Sequence, residues 1–262
     1  MRKSSQWTVD RRGNRIHKTA ILGEGISLGS NNTVGPLTVI GGLGCSVVIG
    51  NQNSIGVGSV IGSPPESATG CPGSAHLNVD HFARSRPSLF GSVIIGSRCV
   101  IRDKVTIHGG IDGPTNIGDL NYLHTGTHLD HNVTSEVGVV FAPNVVSAGH
   151  VFFGAFSQIG LGACFHQGAR VGALAMVGMN ATVKGTVPNM SLHFGSPSRL
   201  RGANAVRLRR LGLATAKIVE IEELLSSVEV SENERQLRLS EIIQPLIDVA
   251  TSQALRAWEG QL

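Results

Sequence analysis

The chain has 262 residues, 34 of them glycine, with 4% aromatic residues and a formal net charge of +4, enough for one large domain or a domain with an appendage. So mild a positive excess does not require nucleic acid as a partner. Four scattered cysteines without a CxxC pair make neither a disulfide frame nor a zinc knuckle, and no apolar run approaches the ~20 residues of a membrane span. Reduced thiols, and a basic start (MRKSSQWTVDRRGNR) without an apolar stretch behind it, give the expectation of a cytoplasmic protein.

Residues 1–15 read as an N-terminal arm. From there an aliphatic residue recurs at every sixth position: Ile16, Leu22, Leu28, Val34, Ile40, then, after a phase shift of three, Ile49, Ile55 and Ile61. The stretch 63–94, rich in Pro, Ser and Gly, breaks the phase and reads as a long excursion loop, which in a compact domain is either functional or disordered. The phase returns at Ile95, Ile101 and Ile107, and a short excursion around GPTN (113–116) follows. It then runs through Ile117, Leu123, Leu129, Ser135, Phe141, Ser147, Phe153, Ile159, Phe165, Val171, Val177 and Val183. A β-sandwich would alternate with period two. This period of six is a hexapeptide repeat and resembles the left-handed parallel β-helix family. There each hexad is a short strand and a turn, three hexads close a triangular coil, and coils stack at the strand spacing of ~4.8 Å. A β-helix domain over 16–200 is the expectation.

Residues 201–262 change character and predict a C-terminal helical domain. Ile218, Ile221 and Leu225 lie at helical spacing, Ser231 with Glu234 three later is a capping-box pattern, and Pro245 is expected to kink or split the second helical segment.

Numbering by hexad lines up histidines that are distant in sequence. His131 is third in its hexad, and His150 is fourth in the hexad one coil of 18 residues later. His166 is second in the hexad one coil further, and His108 is second in the hexad one coil before. His128, last in its hexad, is expected at the corner leading into the same face. Such a set can be solvated surface histidines, a metal site, since imidazole is a common zinc ligand, or a general base with neighbouring binding groups. The third reading is favoured, with no bound metal.

IRDKVTIHGG, THLDHN, SAGH and FHQGARVG, in this order and spacing, resemble the UDP-N-acetylglucosamine 3-O-acyltransferase family of lipid A biosynthesis, over residues 16–212. The resemblance implies a homotrimer and an acyl carrier protein thioester, on its phosphopantetheine arm, as donor. It implies a hydroxyl of a nucleotide sugar as acceptor, with no bound cofactor. In it His131 matches the general base and the Gly149 N–H the oxyanion donor. His108, His128, His150, His166 and Gln167 match groove and substrate-positioning residues. Asn204 and Arg210 match contacts to the nucleotide phosphates from a neighbouring subunit. The basic segment 199–210, with Arg199, Arg201, Arg207, Arg209 and Arg210 and no acid, reads either as a solvated helix face or, by the resemblance, as a docking patch for the acidic carrier.

The chain also departs from that pattern. Asn132 stands where the family has an acid directly after the histidine, Val206 replaces an acid and Leu211 an arginine. The loop 63–94 lacks an Asp-x-Lys motif and offers His76, Asp80, His81 and Arg84 instead. Met179 stands where long-chain enzymes have glycine, implying an acyl chain of about ten carbons or fewer. A same-fold acyltransferase with another acceptor, an amine or a specialised metabolite, and a non-catalytic trimeric scaffold are the competing readings.

Overall fold

The computed structural model describes residues 6–42, 44–65, 91–227 and 230–260. Within them, short strands stack into an eleven-stranded sheet and two eight-stranded sheets, the strands of each coming from successive coils. The chain visits the first (eleven-stranded), second and third sheets in turn, so that Leu129, Ser147 and Phe165 register directly above one another in the second sheet. The result is a parallel β-solenoid of about eight turns, closed at its C-terminal end by helices.

The six-residue period decides what is inside. Ile101, Leu123 and Phe141 in the first sheet, Ile107 and Leu129 in the second, and Val171 in the third are buried to within 1% of completely. The serines that interrupt the aliphatic series have a packing reason. Phe141, Phe153 and Phe165 come from three different sheets and meet edge to face at centroid distances of 4.9 and 5.0 Å. Ser135 and Ser147, also buried, occupy inward positions of the same coils and leave room for the rings. At one corner the inward polar groups are supplied by a ladder. The backbone N–H groups of Asn32 and Asn53 donate to the side-chain oxygens of Asn14 and Asn32 at 2.8 Å, and that of Cys99 donates to Asn53 at 2.7 Å. Burial pushes the thiols of Cys45 and Cys99 up to about 11 and about 12, so both pack as small apolar groups.

The breaks in phase are insertions at corners. Ile26 pairs with Val47, three residues beyond the regular spacing, which accounts for the shift after Ile40. Val47 pairs with Val93, 28 residues beyond the regular spacing of 18, and Ile107 pairs with Leu129, with four extra residues around Asp112. The last coil contracts instead: Val171 pairs with Val187 and Val177 with His193, each two residues short. The hexad count, which ends at Val183, does not reach this coil.

The N-terminal arm contains a strand, Trp7–Val9, antiparallel to Arg15–His17, where it covers the open first coil. The terminal strand Arg199–Ala203 folds back antiparallel on Ser191–Phe194, so the sheet runs past residue 200. Pro245 does not split the final helix, which runs unbroken from Glu232 to Glu259. Its N-cap Ser231 accepts from the Glu234 N–H at 3.2 Å, as the capping pattern predicts.

The helices Ala205–Arg210, Thr215–Ser226 and Glu232–Glu259 dock on a row of corner residues. Phe156, Leu174 and Met190 hold left-handed backbone (φ 55°, 58° and 57°) and are buried with Leu208, Ile221, Leu239, Ile243 and Leu246. Left-handed backbone at bulky residues costs about 1–2 kcal/mol each, and the apolar area they bury against the helices offsets it.

Candidate functional site

The edge where the second sheet turns into the third gathers the histidines. His108 ends the strand Thr106–His108, and His128 opens the strand His128–Leu129, with its side chain on the outer surface of the second sheet. The corner itself is taken by His131 and His150, where His128 was expected. The His150 backbone N–H donates to the His131 carbonyl at 2.9 Å, and His150 holds φ 60°. Four rings form two edge-on pairs: His108 with His128 at 5.0 Å and His131 with His150 at 5.1 Å. His108 and His131 are buried, His128 is half-buried and His150 is exposed.

The orientation of His131 follows from its neighbours. Asn132 also has left-handed backbone (φ 58°), which asparagine tolerates well. Its amide nitrogen donates to Asp112 Oδ1 at 2.8 Å and to the Gly113 carbonyl at 3.3 Å, and its Oδ1 accepts from the Ile111 N–H at 2.9 Å. Those partners fix which end of the amide is oxygen. His131 Nδ1 lies 3.0 Å from that same Oδ1, which can only accept. In the neutral ring Nδ1 therefore carries the proton, and Nε2 has the lone pair. The four extra residues around Asp112 are what bring these partners to Asn132.

Gly149 sits one coil above His131 and lies flat against the ring. A Cβ at this position would come within 2.8 Å of Nδ1 and closer still to Cε1 and Nε2. Only glycine leaves the imidazole where it is. The Gly149 N–H is buried and donates to no acceptor among the described residues, while its carbonyl accepts from Gly168. A lone-pair nitrogen and an unengaged N–H are therefore neighbours at one edge of the stack, suited to removing a proton from a hydroxyl and steadying an oxyanion.

His166 and Gln167 lie a coil further on, both exposed, with His166 Nδ1 3.1 Å from the Gln167 carbonyl oxygen. Gln167 directly overlies Gly149 in the column. Met179 is not beside the rings. It occupies the opposite edge of the second sheet, 68% exposed, directly above Leu161, which is 47% exposed, with Val146 and Cys164 outward on the sheet between the two edges. Asn204 is the N-cap residue of the helix Ala205–Arg210. It is buried, and its amide nitrogen donates to the Leu174 carbonyl at 2.9 Å, which ties the helical segment to a different corner. Arg210 is exposed in the last turn of the helix Ala205–Arg210, away from the four rings. His76, Asp80, His81 and Arg84 lie outside the described residues.

The sequence reading assigns no role to Asp130, Asp112 or Thr106. Asp130 is 8% exposed, its Oδ1 accepting from the His131 N–H at 2.7 Å. Thr106 Oγ1 lies 2.7 Å from His128 Nδ1. The available signal was an acid directly before His131 in THLDHN, in place of one directly after it.

A cavity of about 390 Å³ between the first sheet and the long helix, lined by residues including Tyr122, Phe156, Arg207 and Trp258, contains none of these histidines. The histidine edge is open to solvent on one side. Among the described residues no group of three or more His, Cys, Asp or Glu side chains is arranged to hold a metal ion, and no helix is long and apolar enough to cross a membrane.

No protein-family model matches the chain. A curated relative from Stenotrophomonas maltophilia (strain R551-3), an acyl-[acyl-carrier-protein]–UDP-N-acetylglucosamine O-acyltransferase, is 32% identical over 256 residues, covering 90% of this chain and 89% of its own length. A relative of the same name from Gloeothece citriformis is 34% identical over 177 residues, 67% of this chain; the matched part spans 58% of that relative's length. Among solved structures, LpxA from Acinetobacter baumannii superposes with a TM-score of 0.70 at 23% identity, over 90% of this chain and 96% of its own.

Proposed function

Because the chain belongs to the acyl carrier protein-dependent UDP-N-acetylglucosamine O-acyltransferase family, we propose that it moves an acyl group from an acyl carrier protein thioester to a hydroxyl of UDP-N-acetylglucosamine, with His131 as general base. The observation that carries this reading is the fixed tautomer of His131: Nδ1–H given to Asn132, and Nε2 left with its lone pair beside the Gly149 N–H.

The acceptor hydroxyl gives its proton to Nε2 as its oxygen attacks the thioester carbonyl. The oxyanion of the tetrahedral intermediate accepts from the Gly149 N–H. Collapse breaks the carbon–sulfur bond, and the leaving thiolate takes the proton back from the imidazolium. His128, His150, His166 and Gln167 hold the sugar and nucleotide along the same edge, and Arg210 of a neighbouring subunit meets the phosphates through its forked donors. Asn204 supports that helical segment through Leu174. The active assembly is a homotrimer, whose second prism supplies the missing wall of the open edge. The exposed outer surface from His128 across Val146 and Cys164 to Leu161 and Met179 is an apolar track for the acyl chain, and the thioether of Met179 ends it at about ten carbons or fewer. The exposed Arg199, Arg201, Arg209 and Arg210 steer the acidic carrier toward the site.

The test is direct. Purified protein is mixed with decanoyl-acyl carrier protein and UDP-N-acetylglucosamine, and the nucleotide sugar is followed by mass spectrometry. A UDP-sugar heavier by one decanoyl group, made in proportion to free carrier thiol, is expected. Release of thiol with no acylated UDP-sugar would transfer the reading to another acceptor. No release with any acyl carrier would overturn it.

A further inference from the structure

A base that ends the proton transfer as an imidazolium needs a negative charge nearby, and the residue on the far side of its ring does not provide one. Asn132 orients His131 through Nδ1 but is neutral, and Asp112 reaches the ring only through the Asn132 amide. Among the described residues, the charge closest to the proton-accepting nitrogen belongs to the residue before the histidine. Asp130 Oδ2 lies 4.0 Å from His131 Nε2, and Asp130 Oδ1 lies 3.6 Å from His108 Nδ1. The carboxylate is held in place by the residue it faces, since Oδ1 accepts from the His131 N–H at 2.7 Å. It is buried between the two ring pairs, with His108 and, through His108, His128 on one side, and His131 and, through His131, His150 on the other.

We propose that Asp130 is the positioning residue of the active site: its carboxylate stabilises the imidazolium form of His131 from the Nε2 side while Asn132 fixes the ring from the Nδ1 side. This deepens, and rests on, the reading of His131 as the general base. The separation matters. At 4.0 Å the carboxylate is too far to accept a hydrogen bond from Nε2, so it does not compete with the acceptor hydroxyl for that nitrogen. It is near enough that its attraction for a unit positive charge in a partly desolvated pocket is large. That attraction exists only once the proton has moved. It is therefore spent on the transition state and raises kcat without tightening substrate binding. A carboxylate directly after the histidine would act through Nδ1. In this chain the charge is shifted to the other side of the ring, with Asn132 keeping the orientation.

The experiment compares Asp130→Asn, Asp130→Glu, and Asp130→Asn combined with the swapped pair Asp112→Asn and Asn132→Asp. The swap keeps a hydrogen bond between positions 112 and 132 with the donor reversed, and moves the charge to Nδ1. Turnover and KM are measured with decanoyl-acyl carrier protein and UDP-N-acetylglucosamine, together with thermal melting and thioester hydrolysis without the sugar, where water is the acceptor. Asp130→Asn is expected to lower kcat about 10- to 100-fold, no more than the ~100-fold lower bound for general-base assistance itself, with KM within about twofold and the melting temperature unchanged. Asp130→Glu is expected to recover part of the loss, and the swapped triple variant most of it. Unchanged kcat in Asp130→Asn, a loss confined to KM, or a folded triple variant as slow as Asp130→Asn would overturn the proposal. If the wild type hydrolyses the thioester in an Asp130-dependent way but leaves UDP-N-acetylglucosamine untouched, the acceptor reading fails and Asp130 stands. If it does neither, both fall.

Discussion

Replacing Gly149 with alanine isolates the position of the His131 ring, the proposed base, from its chemistry. The backbone at 149 is not left-handed, and the N–H proposed to hold the oxyanion remains. What changes is one methyl group, which would sit within 2.8 Å of His131 Nδ1 and nearer to Cε1 and Nε2. An unstrained carbon contact is about 3.5 Å or more, so the ring must retreat by roughly 1 Å. That retreat stretches the 3.0 Å bond from Nδ1 to Asn132 and disturbs the edge-on pairing with His150 at 5.1 Å. A misplacement of this size costs about 100-fold in rate, or about 2.7 kcal/mol of transition-state stabilisation. Stability should change little, because the alanine restricts the unfolded chain by about 0.4–1 kcal/mol, opposing the local strain. The assay is kcat for acyl transfer alongside a melting curve, with Gly185→Ala, where an added Cβ meets nothing within 4 Å, as the control. A Gly149→Ala protein with wild-type kcat would refute the assignment of the His131 ring as the reacting group.

Three further expectations follow from the core and the proposed acyl track. Phe153→Ala removes the middle ring of the Phe141–Phe153–Phe165 series and should destabilise the fold by about 3–5 kcal/mol in urea titrations; a loss under 1 kcal/mol would mean the coils collapse around the gap. His193 fills an inward position of the last coil, neither ring nitrogen has a hydrogen-bond partner among the described residues, and burial pushes its pKa below the usual 6.5. The unfolded chain then binds more protons than the folded one below that value. Stability should hold above pH 6.5 and decline as the pH falls through it, and His193→Leu should flatten the decline in urea midpoints taken at pH 8 and pH 5.5. Met179→Gly should extend the preferred donor by several carbons in a competition among acyl carrier proteins of graded chain length, and an unchanged preference would remove Met179 from the track.

The solenoid was legible because one repeated cause, an inward side chain every six residues, acts on each coil alike. Even its serines were readable as members of the series, although only the stacked phenylalanines explain them. The period failed where the cause stops. The final coil drops two residues per turn and puts His193 where an aliphatic residue would stand, and Trp7–Val9 pairs antiparallel as a cover for the first coil. Pro245 was expected to interrupt a helix that in fact runs through it, since packing of Leu239, Ile243, Leu246 and Ala250 against the corner residues outweighs the local preference. At the site, counting hexads brought His131 and His150 to one edge across nineteen positions of sequence, and the structure puts their rings in contact. Counting could not find Asp112, which reaches Asn132 only because four inserted residues loop outward, nor could it weigh Asp130, whose importance depends on which ring nitrogen it faces.

The central claim is that the His131 imidazole takes the acceptor proton. The most direct measurement is the single-turnover rate of decanoyl transfer to UDP-N-acetylglucosamine in His131→Ala against wild type, at equal melting temperature. A loss of about 100-fold or more is expected with the fold intact; transfer at the wild-type rate would contradict the role of His131 as base.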